Sequence, residues 1–291
     1  MAINITVTHD DQLLNYLFEQ KLHFSKSKLK SLLKHECIAI DHEVTTQFND
    51  PVTMGQIITI VEHNQQKDTP LKLLYEDDDI LVIDKPYGLL TIATNKDEEL
   101  TAYRLASAYV KTQNVKNKIF VVHRLDKDTS GVLLFAKSDR AKKAYQADWN
   151  NLVSDRTYVA VVEGTVRKEE GKIESFLQEN KTTHMYSTAT GLHAITRYQL
   201  IKASDDNSIL KVNIDTGRKN QIRVHMADMQ HPIIGDKKYG AKTSPIKRLG
   251  LHAYRLIVKN PINNKKMTFI APLPPKLRKI SKITPTQEES I

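Results

Sequence analysis

Apolar positions follow one pattern up to about residue 62 and another from residue 71 onward. In the front stretch Leu13, Leu14, Leu17 and Phe18 recur at helical spacing, as do Leu29, Leu32 and Leu33, so two short helices are expected. Ser25 or Ser27 suits the cap of the second helix. Ile38 and Ile40 alternate as in a strand, Asp41-His42 suits a turn, and residues 57–61 read as another strand after Gly55. Residues 10–62 therefore read as a small α+β module. Residues 63–70 are polar, lack periodicity and end in Pro70, as a linker does.

From Leu71 onward, apolar runs alternate with turns. Residues 80–83 read as a strand entering the turn Lys85-Pro86-Tyr87-Gly88, and 100–112 read as a helix. Residues 131–136 read as a buried strand, and Ser138 as the cap of a helix reaching Trp149. Further strands are expected over 158–162, 195–201, 209–214, 252–258 and 267–270, with a helix over 220–229. Strands outnumber helices without regular alternation, which makes residues 71–280 an α+β domain. A frayed tail is expected over 281–291.

The 291 residues are 40% hydrophobic and 26% charged, enough for an ordinary core, and the net charge is +9. That charge is uneven. Residues 1–70 hold 6 Lys/Arg against 9 Asp/Glu, whereas 101–150 hold 10 against 4 and 201–250 hold 10 against 5. Localised basic surface attracts polyanions, nucleic acid above all. The front module is acidic in total, yet its second helix carries Lys26, Lys28, Lys30 and Lys34 on one polar face, either a solvated face or an RNA contact. The single cysteine, Cys37, excludes a disulfide framework. No apolar run approaches the ~18–20 residues of a membrane span. Asp10 and Asp11 precede the first lysine, unlike a secretory leader, so a cytoplasmic protein is expected.

The densest polar loop, His123-Arg124-Leu125-Asp126-Lys127-Asp128-Thr129-Ser130-Gly131, lies at the rim of the expected sheet, where function concentrates. Arg124 and Lys127 flank Asp126 and favour its ionised form, which serves as a nucleophile or a base. The bland use of such a loop is a surface turn. His123, Arg124 and Lys127 are candidate substrate contacts within it. In Thr216-Gly217-Arg218-Lys219-Asn220-Gln221-Ile222-Arg223, Arg218 and Lys219 are expected in a helix's first turn, where the dipole disfavours cations. A bound anion such as phosphate would account for them. A partly buried Arg223 calls for a carboxylate partner, Asp126 being one candidate. No Walker loop, dinucleotide fingerprint or Gly-x-Ser-x-Gly elbow is present, and His184, His193, His225, His231 and His252 lack paired metal-ligand spacing.

The loop from His123 to Gly131 resembles the catalytic signature of RluA-type pseudouridine synthases. Asp84-Lys85-Pro86-Tyr87-Gly88, Arg156-Thr157-Tyr158-Val159-Ala160, Gln221-Ile222-Arg223-Val224-His225, His231-Pro232-Ile233-Ile234-Gly235-Asp236 with Tyr239-Gly240, and Leu251-His252-Ala253 match that family's motifs in its order. Residues 10–62 look like the S4 RNA-binding domain that many members carry. Lys219-Asn220 stands where the family has Thr-His. The resemblance implies a mixed, largely antiparallel sheet and an RNA uridine isomerase acting with base flipping and no cofactor. It implies that Asp126 is the essential carboxylate, kept ionised by a paired Arg223. It further implies that Tyr158 stacks on the uracil, that Leu251 lines the base's other side, and that Arg124 enters the RNA helix or takes the place of the departing base. Arg218 joins these as a substrate contact. The expected substrate is structured RNA, ribosomal ahead of transfer RNA, bound by a monomer. The rival reading is an RNA-binding protein with a non-catalytic synthase-like domain.

Overall fold

The structure, a computed structural model, describes residues 2–20, 22, 24–34, 37–41, 43–61, 71–93, 100–289 and 291. The expected linker over 63–70, His42, and the side chains of Ser27, Lys28 and Lys34 lie outside what is described. The chain divides into two units, Met1–Pro70 and Leu71–Ile291.

The first unit runs β1 (Ala2–Thr6), β2 (Asp11–Gln12), α1 (Leu13–Glu19), α2 (Lys26–Lys34), β3 (Ile38–Ile40), β4 (Glu43–Thr45), β5 (Pro51–Val52) and β6 (Ile57–Val61). Its antiparallel sheet has the order β1-β6-β3-β4. The module starts before residue 10, because β1 pairs with β6 along its whole length. Leu13, Leu14, Leu17, Leu29, Leu32 and Leu33 pack with Ile38, Ile58, Ile60 and Cys37 in one core. Phe18, expected in that stripe, is exposed, and Tyr16 takes its place with its hydroxyl donating to Thr6 O at 3.2 Å. Asp41 adopts φ +46° in the β3–β4 turn, a conformation its short polar side chain tolerates.

The second unit contains β7 (Leu73–Glu76), β8 (Ile80–Lys85), α3 (Ala102–Gln113), β9 (Phe120–Val121), β10 (Ser130–Ala136), α4 (Asp139–Ala147), α5 (Trp149–Leu152) and β11 (Val153–Glu163). It continues with β12 (Glu170–Glu179), β13 (Met185–Thr188), β14 (Leu192–Ala203), β15 (Asn207–Ile214), α6 (Gln221–Asp228), a 3-10 turn (Lys237–Tyr239), β16 (Leu251–Lys259), β17 (Lys266–Ile270), α7 (Pro275–Ser281) and α8 (Pro285–Glu289). One large sheet has the order β13-β12-β14-β15-β11-β16-β10-β8-β7, with β17 added to β16 and β9 to β10. β10 and β16 run parallel, and the other named pairs are antiparallel. The mixed, largely antiparallel α+β sheet is thus the expected one.

β10 is buried on both faces, which explains its unbroken apolar run. Val132 and Leu134 pack with Ile80, Val82 and Tyr145, whereas Leu133 and Phe135 pack with Leu81, Ile83 and Ala106 of α3. Each such side chain contributes roughly 1.5–3 kcal/mol. Ser138 caps α4 as expected, its hydroxyl accepting from Ala141 N at 3.1 Å, but the helix stops at Ala147 and Trp149 opens a separate turn. The segment expected to fray instead folds back: Ile283 and Ile291 are buried with Leu273 and Leu277, and Tyr254 Oη donates to Glu288 O at 3.1 Å.

The β10–β16 seam depends on Gly131. It has φ +118°, and a Cβ there would stand 2.1 Å from Ala253 O. Gly131→Ala is therefore expected to destabilise the second unit by several kcal/mol, read as a lower melting temperature. An unchanged melting temperature would show that the seam adjusts.

Candidate active site

The loop between β9 and β10 is braced from several sides. Thr91 Oγ1 donates to Leu125 O at 2.7 Å and accepts from Leu125 N at 3.1 Å. Lys85, at the end of β8, is fully buried and donates through Nζ to Leu89 O at 2.7 Å, Pro86 O at 3.0 Å and Lys127 O at 3.2 Å. Gly88 N also donates to Lys127 O. Burial pushes the Lys85 ammonium down to about 7, with Asp128 and Asp126 opposing the shift. A rigid loop thus holds Asp126 in place.

The Asp126 carboxylate lines a cavity of about 520 Å3 and accepts no hydrogen bond among the described residues. Burial raises its pKa above the usual carboxylate value, with Arg223, Arg124, Lys85 and Lys219 pulling the other way. The expected Asp126–Arg223 pair is not formed. Arg223 Nε and Nη2 instead donate to Oδ2 and Oδ1 of Asp236, each at 2.7 Å, and Nη1 donates to Asn220 Oδ1 at 3.1 Å. The Tyr239 ring lies 4.9 Å from the guanidinium, and its hydroxyl accepts from Asn220 Nδ2 at 2.9 Å. Asp236 wins this competition because its side chain is fully buried and matches the guanidinium fork at two points. Arg223 acts on Asp126 through space, with its charge shared by Asp236.

Asn220 makes this clamp from a left-handed conformation, φ +53°, immediately before α6. Lys219-Asn220, the pair that departs from the family pattern, is thereby accounted for: Asn220 braces Arg223 and Lys219 pairs with Glu179. Arg218 and Lys219 stand ahead of α6 rather than in its first turn, so the expected conflict with the dipole does not arise. Arg218 lines the cavity while its Nε donates to His193 O at 2.9 Å.

Tyr158 of β11 and Leu251 of β16 also line the cavity, together with Ile214 and Ile222. The strand register sets Leu251 opposite Ala160 and Tyr158 opposite Ala253, so the two side chains are diagonal neighbours on one sheet face. Burial pushes the Tyr158 hydroxyl up to about 12, so it is a neutral donor through the physiological range. Arg124 is exposed at the rim. His123 lines the cavity, but its Nε2 accepts from Leu134 N at 2.9 Å and its ring lies 4.8 Å from Trp149. Burial pushes its pKa down to about 3, leaving it uncharged. Lys127 lies outside this cavity and lines a smaller neighbouring one. Arg156, Asp236 and Tyr239 stand in the matched motifs without an assigned role: Arg156 lines the main cavity and donates through Nη2 to Asp215 O at 2.7 Å, and Asp236 and Tyr239 form with Asn220 the clamp on Arg223.

An ionisable carboxylate, an apolar sheet face and a rim of Arg124, Arg156, Arg218 and Lys219 suit a nucleotide within a polyanion. A family model described as RNA pseudouridylate synthase matches residues 79–228, which include Asp126, Tyr158 and Arg223. The chain belongs to this family of RNA-modifying isomerases, of the RluA type. Among its relatives is the ribosomal large subunit pseudouridine synthase D of Vibrio cholerae, 31% identical, with 94% of this chain and 92% of that protein covered. An RNA pseudouridine synthase of Mycoplasma genitalium is 32% identical over 90% of this chain and 89% of that protein. The solved human RNA pseudouridylate synthase domain containing 4 shares the fold at 22% identity, with a TM-score of 0.60 over 72% of this chain and 93% of that one. The protein is an RNA pseudouridine synthase.

Proposed function

We propose that Asp126 carries the isomerisation, acting on a uridine flipped out of structured RNA into the 520 Å3 cavity. One observation supports this above the others: a carboxylate on a braced loop, without a hydrogen bond among the described residues, in a cavity rimmed by cations. Pseudouridine formation breaks the bond from sugar C1′ to N1 and makes one from C1′ to C5. The C5 hydrogen leaves as a proton and N1 gains one, so mass and chain length are unchanged. Asp126 serves either by adding to the sugar or by taking a sugar proton, and both roles need it ionised and basic. Its raised pKa makes it a better base than an exposed aspartate. The base rests against Tyr158 and Leu251, with the neutral Tyr158 hydroxyl available as a donor. Arg124 at the rim fills the space the base leaves. Extrusion costs a few kcal/mol, least from a loop or bulge, and phosphate contacts to Arg156, Arg218 and Lys219 offset it.

The substrate in this reading is ribosomal RNA, supported by the name of the Vibrio cholerae relative, with transfer RNA the other outcome of mapping. The first unit is read as an S4-like RNA-binding domain. Lys26 and Lys30 of α2 are exposed there and lie 5.5 and 5.9 Å from the rings of Phe18 and Phe48, both exposed. Cations beside open aromatic faces suit a phosphate backbone with unstacked bases. The protein is read as a cytoplasmic monomer needing no cofactor. No helix among the described residues is long and apolar enough to cross a membrane.

The reading is tested by incubating unmodified ribosomal RNA with the protein and mapping pseudouridine. New sites in RNA of unchanged length support it, and shortened RNA without them would refute it. The pH profile offers a second check. Since the Asp126 pKa is raised, the acid limb of kcat/KM is expected above the range of an exposed aspartate, about 3.9. Activity is lost as pH falls through that limb, and Tyr158 adds no alkaline loss until its hydroxyl ionises near 12. An acid limb at or below the ordinary aspartate value would contradict the assignment.

A further inference from the structure

Two cavities meet at Asp126. Beside the larger one lies a second of about 320 Å3, whose lining includes Thr91, Asp128 and Lys238. Arg124, Leu125, Asp126, Asn220 and Arg223 line both, so the Asp126 loop and the head of α6 form the partition between them. The two chambers differ in chemistry. The first offers Tyr158, Trp149, Ile214, Ile222 and Leu251, surfaces for a flat base. Among the described residues the second has no aromatic side chain in its lining, and the charged groups described there are Arg124, Lys127, Arg223 and Lys238 with Asp126 and Asp128.

A polynucleotide cannot end at the flipped residue. If the base occupies the first chamber and the sugar meets Asp126, the backbone leaves the sugar through two phosphodiester linkages. One of them must then run past the carboxylate, on the side away from the base. That is where the second chamber opens. Lys238 stands there, exposed, in the same 3-10 turn whose Tyr239 supports Arg223. Its Nζ donates to Thr183 O at 2.8 Å, which fixes the ammonium and leaves two of its three protons for another acceptor.

We propose that this second chamber is a subsite for the phosphodiester linkage adjoining the target uridine, with Lys238 as its phosphate contact. The proposal rests on the reading that the first chamber takes the flipped uridine. It gives the segment from Gly235 to Gly240 two tasks: its Asp236 and Tyr239 hold Arg223, and its Lys238 holds the strand beside the reacting sugar.

The probe is the trinucleotide UpUpU, together with two versions in which the first or the second linkage is a neutral methylphosphonate. Each is titrated against the full-length wild type, Lys238→Ala and Lys238→Arg. At one of the two linkages, removing the phosphate charge is expected to weaken wild-type binding about five- to tenfold. The same change should weaken Lys238→Ala binding by less than about twofold, because the contact is already gone, whereas Lys238→Arg should respond like the wild type. Equal losses in wild type and Lys238→Ala at both linkages would overturn the proposal, as would no measurable wild-type binding of UpUpU. Isomerisation of total RNA by the wild type, assayed alongside, separates the two levels. Isomerisation without coupling to Lys238 sinks the subsite alone, and coupling without isomerisation sinks the uridine reading.

Discussion

Asp126→Asn is expected to lower kcat by at least about a thousandfold while changing RNA affinity by less than about threefold. The amide keeps the shape of the carboxylate but is neither a nucleophile nor a base at neutral pH. Affinity should survive because the cations rimming the cavity, Arg124, Arg156, Arg218 and Lys219, are untouched. The same substitution carries a stability prediction of definite sign. Burial raises the Asp126 pKa in the folded state, so the folded protein holds its proton to higher pH than the unfolded chain does. Between those two values stability falls as pH rises, and at neutral pH the ionised carboxylate is a net cost. Asp126→Asn should therefore melt no lower than the wild type at pH 7, and higher if the cost is large. An inactive variant that also unfolds early would mean that Asp126 holds the loop rather than reacting.

The second large effect concerns Arg223. Arg223→Met leaves the fully buried Asp236 carboxylate without its two charge-assisted hydrogen bonds, a loss of about 3–5 kcal/mol by the usual behaviour of broken buried pairs. Activity should fall as well, because the foremost of the four cations that favour ionised Asp126 is gone. A double substitution separates the two consequences. Arg223→Met with Asp236→Leu removes both charges, and such replacements are often neutral or stabilising. Denaturation should then show stability largely recovered while isomerisation stays lost. Recovery of both would make Arg223 purely structural. Arg223→Lys tests geometry rather than charge. An ammonium cannot span both Asp236 oxygens and Asn220 Oδ1 in one plane, so it should restore only part of either property.

The parts of this molecule legible in its sequence are those whose partners are close along the chain or whose burial is unambiguous. β8 and β10 are continuous apolar runs because helices or further strands cover both their faces. The Asp126 loop is legible because polar residues crowd between Val121-Val122 and the apolar run of β10. β12 and β13 gave no comparable signal, since most of their side chains are wet or half-buried, Leu177 and Met185 being their buried anchors. The partner of Arg223, for which Asp126 is one candidate in the sequence, is not legible there either. Asp236 lies 13 positions away and reaches Arg223 only through a turn at Gly235, φ +77°, that spacing alone does not reveal. The role of Lys85 was hidden too, because a lysine in a turn normally reaches solvent, whereas this one is buried against three carbonyls. The C-terminal segment, polar in composition, is held by Ile283 and Ile291, two apolar side chains too widely spaced to read as a pattern.

The central claim, that this chain isomerises uridine through Asp126, is tested most directly by mapping pseudouridine across total RNA from three strains: one lacking the protein, one complemented with the wild type and one with Asp126→Asn. At least one site in ribosomal RNA is expected to disappear without the protein, return with the wild type and stay absent with the variant at equal protein level. Restoration of that site by Asp126→Asn, or an unchanged map in cells lacking the protein, would contradict it.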